Sequence, residues 1–187
     1  MQTTFNPFSE KLPVLEAIID VTIQKKLFNL ENVAFVCVQH LLYTTFSLLQ
    51  SLTRLGAVAE NIHVLGKSYS SCPLVIQKLI DEGYSYYPNS MQGQLGCFAQ
   101  YLKQDIDYMW QVVYEDLEKK RIEHIIILDD GGNCLTNVPP LVAQKCQIMG
   151  VEQTSSGLTN TRMCSLTFPV IQVASSAAKQ YLESPMI

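Results

Sequence analysis

Nowhere in the 187 residues do Lys and Arg gather into a basic stripe, and the 13 of them are outnumbered by 17 Asp and Glu, for a formal net charge of -4. Without such a stripe a chain cannot neutralise a row of phosphates, which sets nucleic acid aside as a partner. Long apolar runs are missing too. VAFVCV (33–38) and IIIL (125–128) are strand-sized, far below the roughly 20 residues that a spanning helix needs, so no membrane partner is expected. The opening MQTTFNPFSEK lacks a basic segment followed by an apolar one, and the expected location is cytoplasmic rather than secreted. The six cysteines contain no C-x-x-C pair. In a reducing compartment they read as small core residues, with neither disulfides nor zinc expected. G-x-G-x-x-G occurs nowhere, so the chain carries no dinucleotide fingerprint.

What is present favours a folded core. Hydrophobic residues make up 48% of the chain, enough to offset ordering entropy, and the length suits a single domain over residues 1–187. Apolar spacing predicts a helix from Ser9 to about Gln24, a buried strand from Val33 to Val38, and a helix from Leu41 to Leu55 that stops at Gly56. A second strand is expected at Ile62 to Leu65 and a helix at Pro73 to Glu82, stopped by Gly83. YPNSMQGQLG (87–96) is turn-rich. Cys97 to Lys120 reads as a long amphipathic helix and Ile125 to Leu128 as a third strand, followed by a loop over Asp129 to Asn137. A short helix at Pro140 to Lys145, a strand at Ile148 to Val151, a last strand at Pro169 to Val173 and a last helix at Ser175 to Glu183 complete the alternation. Strands alternating with helices predict a three-layer α/β fold. Its mostly parallel sheet would be covered by helices on both faces, flavodoxin-like or Rossmann-like, because parallel neighbours need crossover connections.

In such sheets ligands bind beyond the carboxyl ends of the strands. The residues just past the predicted strands are Gln39 and His40, Ser68 to Ser71, Asp129 and Asp130, Glu152 to Thr154, and Ser175, Ser176 and Lys179. All are polar or ionisable, so this edge could bind a polyhydroxylated ligand and move protons, although loops are polar in any case. Asp129-Asp130-Gly131-Gly132 sets two carboxylates at a strand end beside glycines that let backbone approach a ligand. Cys37 and His40 have the spacing of two metal ligands, but no second such pair exists. L-G-K-S (65–68) has Asn61 where a phosphate loop needs its first glycine, and it is set aside. A phosphorylation receiver domain is excluded by order, since its acidic pair follows the first strand, whereas here that strand leads to Gln39 and His40.

Four segments carry a resemblance: VCVQHLLYTTFSLLQSLTRLGA (36–57), IIILDDGGNCLTN (125–137), GVEQTSSGL (150–158) and PVIQVASSAAKQYLES (169–184). Taken in order they resemble the substrate-binding domain of S-adenosylhomocysteine hydrolase (adenosylhomocysteinase), with its H-M-T-x-x-T, D-D-G-G, E-E-T and D-S-x-T-K motifs. The resemblance implies a nucleoside or S-adenosylhomocysteine-like ligand and leaves room for a homo-oligomer. It implies catalytic roles for His40, Asp130 and Lys179, and substrate binding by Thr45, Gln153, Thr154 and Glu183. In the family, NAD held by a second domain oxidises a ribose hydroxyl so that the thioether can be eliminated. This chain has no counterpart of that domain, so no cofactor is expected in it and NAD would have to be supplied from elsewhere.

The chain also departs from the motifs. Leu42 stands for the threonine of H-M-T, Thr44 for the residue before the second threonine, and Gln153 for the ribose-binding glutamate; Glu183 and Ser184 replace an aspartate and an asparagine. A carboxylate can accept from two adjacent hydroxyls, whereas an amide accepts at one atom and donates at the other. These changes lead to the expectation of a domain that binds such a ligand without turning it over alone, with a non-catalytic scaffold as the alternative.

Overall fold

The computed structural model describes residues 8, 12–91, 96–177, 179 and 181. Its elements in order are α1 (Pro13–Lys25), β1 (Val33–Leu41), α2 (Tyr43–Arg54), β2 (Ile62–Ser71), α3 (Pro73–Asp81), β3 (Ser85–Tyr87) and α4 (Phe98–Lys119). They continue with β4 (His124–Asp129), α5 (Pro140–Lys145), β5 (Gln147–Glu152), α6 (Ser155–Arg162) and β6 (Val170–Gln172). The six strands form one sheet in the order β3-β2-β1-β4-β5-β6, and every pairing is parallel. The α/β class with a parallel sheet is the one the alternating pattern predicts, and this strand order is that of the dinucleotide-binding Rossmann sheet.

β1 lies at the centre and shows why its sequence is an unbroken apolar run: both of its faces are covered. Ala34, Val36 and Val38 point to one side, into a core with Leu102, Ile106, Met109, Trp110 and Val113 of α4. Phe35 and Cys37 point to the other, against Phe46 and Leu49 of α2 and Val75 and Leu79 of α3. The period of two along the strand thus meets helical spacing on each side. No described helix is long and apolar enough to cross a membrane.

Several sequence expectations are corrected at the edges of elements. β2 runs on to Ser71 rather than ending at Leu65. Its second half, KSYSS, pairs with β1 through an irregularity between Gln39 and Leu41, where Leu41 meets Ser71, and a polar, kinked half-strand has no apolar signature to read. β3, of three residues, has no counterpart in the sequence reading, which assigns nothing to 84–86 and starts its turn-rich segment at Tyr87. α6 was not expected because SSGLTNTR has no apolar stripe; its start is fixed instead by the Thr154 side chain, which accepts from the Gly157 N–H. α1 begins at Pro13, whose missing N–H is tolerated at a first helical position. Of the helix predicted over Ser175 to Glu183, positions 178, 180 and 182 onward lie outside the described residues.

The topology creates a crevice. β1 to β3 progress toward one edge, then α4 carries the chain back across the sheet to β4 on the other side of β1. The connections leaving β1 and β4 therefore diverge, and their carboxyl ends flank the switch point where such folds take ligands.

Candidate functional site at the sheet switch point

His40 ends β1 one residue before Leu41, and its carbonyl is held by two donors, the Leu42 N–H at 3.1 Å and the Thr45 hydroxyl at 2.6 Å. The start of α2 is thereby tied to the histidine. Across the switch point, the Asp130 N–H donates to the Val38 carbonyl at 3.1 Å, extending the ladder one residue past β4 and bringing Asp130 beside His40. His40 Nε2 lies 3.5 Å from Asp130 Oδ2. That is longer than a good hydrogen bond and within the range that catalytic pairs show before a ligand tightens them.

The other carboxylate oxygen, Oδ1, is taken by Lys67 Nζ at 2.9 Å, and the same ammonium donates to the Asp130 main-chain carbonyl. Lys67 stands on the second half of β2 and is buried. Gly131, at φ +113°, turns the chain at this point, and a Cβ there would lie 3.3 Å from Lys67 Nζ. The glycine thus serves both the turn and the close approach of the cation. A buried lysine so paired is costly to break, about 3–5 kcal/mol when one partner of a buried ion pair is lost.

Behind this row lies a second pair of carboxylates. Asp129 and Glu152 are opposite each other in the β4–β5 register and are completely buried. Asp129 Oδ2 accepts from the N–H groups of Cys134 and Leu135 at 2.7 and 3.0 Å. Glu152 Oε1 accepts from the Gly131 N–H at 3.2 Å and from the Thr154 N–H and hydroxyl, each at 2.7 Å. The remaining oxygens, Asp129 Oδ1 and Glu152 Oε2, have no hydrogen-bond partner among the described residues. Burial pushes the Asp129 carboxyl up to about 7; the Glu152 charge adds to this, while the two amide donors and Lys67 oppose it. α6 packs so tightly on this pair that a Cβ at Gly157 would overlap the Glu152 carboxyl group.

Of the residues implied by the resemblance, the structure joins His40 and Asp130 directly. Thr45 and Gln153 line one cavity of about 490 Å³ at the carboxyl edge, together with Gln39, Thr44, Leu48, Leu12 at the cap of α1, and the α1 residues Val14, Leu15 and Ile18. Polar groups from three elements thus face an apolar wall, the usual make-up of a small-molecule site. The hydroxyls of Thr45 and Thr154 are engaged inside the chain, the first on the His40 carbonyl and the second on Glu152 Oε1. Lys179 follows β6, which β5 separates from β4, and its N–H donates to Ser176 Oγ at 3.2 Å. Glu183 lies outside the described residues.

A larger cavity, about 620 Å³, opens at the opposite edge of the sheet among Leu30, Val33, His124, Gln147 and Phe168. It is broad and mostly apolar, and it gathers no carboxylate or ammonium. Size alone favours it, but chemistry favours the carboxyl edge.

Lys67 and the buried Asp129–Glu152 pair are what sequence reasoning missed. An apolar strand ending at Leu65 leaves Lys67 outside β2, and the string L-G-K-S reads only as an incomplete phosphate loop. Glu152 looked like one more polar residue after a strand. The usable signal was Asp129 itself, since the register of β4 and β5 places it opposite Glu152.

The β1–α2 turn also answers the question of NAD. A dinucleotide fold puts glycines there to admit the pyrophosphate, whereas this chain has His40-Leu41-Leu42, with Leu42 exposed at the helix start and no side-chain cap. These residues do not fit the cofactor.

No family model matches the chain. Over 177 residues, 91% of its length, it is 31% identical to two proteins described as uncharacterized, one from each of two strains of Mycobacterium tuberculosis. The chain spans 34% of the length of those relatives.

Proposed function

We propose that this domain binds a nucleoside or nucleoside thioether of the S-adenosylhomocysteine kind at the carboxyl edge of the sheet and does not turn it over by itself. The observation that carries this reading is the meeting of His40 and Asp130 across the switch point, next to the cavity that Gln39, Thr45 and Gln153 share. The carboxamides suit the edge of a heterocycle or a ribose hydroxyl, and the α1 wall suits an uncharged ring. His40 is the part of the ion-paired row most open to a ligand, with its side chain 33% exposed against 17% for Asp130. It is the acid or base of the site, and Asp130 orients it. Redox chemistry on a ribose would need NAD from another stretch of polypeptide or a partner chain. A cytosolic setting suits the six free cysteines.

A second reading, an interaction domain that has lost the ligand site, is favoured by the internal engagement of the Thr45 and Thr154 hydroxyls. Thermal denaturation with adenosine, S-adenosylhomocysteine and NAD separates the two. A true ligand at 100 times its dissociation constant stabilises by about 2.7 kcal/mol, and this gain should vanish in Asp130→Ala. No shift with either adenosine compound would discard the nucleoside reading in favour of the second one.

A further inference from the structure

We propose that Lys67 is a positioning residue that governs the protonation of His40 through Asp130, the carboxylate the two cations share. This rests on the carboxyl-edge site proposed above, but its test needs no ligand. Exposure is graded along the row: the Lys67 side chain is 6% exposed, Asp130 17% and His40 33%. The ammonium holds Asp130 at two points, Oδ1 and the main-chain carbonyl, so the carboxylate has little freedom to rotate and Oδ2 stays directed at His40 Nε2. Lys67 also cancels much of the negative charge that His40 would otherwise feel. A carboxylate alone would hold a proton on the imidazole, whereas one neutralised from behind leaves the ring free to give it up.

The titratable groups on His40 come from two elements. Asp130 follows β4, and Tyr69 on β2 sets its ring edge toward the imidazole with centroids 5.6 Å apart. The first turn of α2 brings no acidic residue. Tyr69 offers only a ring edge, so the Lys67–Asp130 pair dominates the field at the imidazole. No residue type in the four segments of resemblance corresponds to Lys67, which lies between the first and second of them.

The experiment is an NMR titration of the His40 ring in the parent, Lys67→Met, Lys67→Arg and Asp130→Asn. Removing the cation in Lys67→Met should raise the midpoint by about one pH unit, as expected for a unit charge a few ångströms away in a partly buried site. Lys67→Arg should return it toward the parent value, because the positive charge beside Asp130 is kept. Asp130→Asn should lower the midpoint by leaving Lys67 facing His40. Equal shifts in the Met and Arg variants would mean simple loosening and would overturn the proposal. Should Lys67→Met not fold, the Asp130→Asn titration decides, and a midpoint that stays put or rises there rejects it. A normal outcome here with no nucleoside binding in the thermal assay would remove the proposed function and leave the role of Lys67 intact.

Discussion

Asp129 and Glu152 end adjacent strands side by side, fully buried, and each has one oxygen bound by backbone N–H groups and one with no partner among the described residues. Two negative charges so placed repel in a medium of low dielectric, which adds to the burial that favours the protonated form of Asp129. The bound oxygens meanwhile fix the loops on either side: Asp129 holds the turn at 134–135, and Glu152 holds Gly131 and the start of α6. The protonation of Asp129 therefore bears on the loop that presents Asp130.

The first prediction concerns Asp129→Asn. The folded carboxyl sits at about 7, well above the roughly 3.9 of an unfolded aspartate. Stability is therefore fully present below about pH 4, is lost as pH rises toward 7, and is flat beyond it. The loss is on the order of 4 kcal/mol at about 1.4 kcal/mol for each pH unit. Urea unfolding from pH 4 to 8 should show the difference between variant and parent moving in the variant's favour by this order. Parallel curves would reject it.

His63 is expected to act in the opposite direction. It is fully buried, with Nδ1 2.8 Å from the Tyr87 hydroxyl. Burial lowers it to about 4, against the pull of Asp116. Its Nε2 lies 3.7 Å from Asp116, too far for a hydrogen bond, so the ring is neutral in the fold. The contribution is present above about 6.5 and is lost as pH falls through 4, on the order of 3 kcal/mol. His63→Gln should flatten the acid side of the stability profile. An acid limb as steep as that of the parent would show that some other group sets it.

The third prediction restores a charge. Gln153 lines the carboxyl-edge cavity with Thr45, and Gln153→Glu would allow two adjacent ribose hydroxyls to be bound at once. A hydrogen bond to a charged group is worth about 1.5–3 kcal/mol, so adenosine should bind at least about tenfold tighter by calorimetry. Unchanged affinity with circular dichroism intact would mean that Gln153 does not meet the ribose.

Legibility in the sequence followed the chemistry of each segment. β1 and β4 are legible because their middles, 33–38 and 125–128, are apolar on both faces, and the long α4 because its spacing is helical on one face. β3 and the second half of β2 are not, since one is three residues long and the other is polar along its length. At the site, His40 and Asp130 were legible as strand-end residues. Lys67 was not, because its burial depends on a strand continuing past the last apolar residue and on a glycine in a distant loop. Those are facts of packing between segments 63 residues apart, which no local window contains.

The missing side chain at Gly157 has a consequence for how this domain can diverge. Glu152 fills the space where a Cβ would be, so positions 152 and 157 form one unit of change with a fixed order of steps. A lineage can shorten Glu152 first and enlarge residue 157 afterwards, but the reverse path meets a clash at its first step. While residue 157 keeps a side chain, the carboxylate has no room at its present place, and the anchor for Gly131 and Thr154 is lost with it. Residue 157 thus sets the order of change: a descendant with alanine there regains the buried acid at its present place only after position 157 returns to glycine, whatever it keeps at His40 and Asp130.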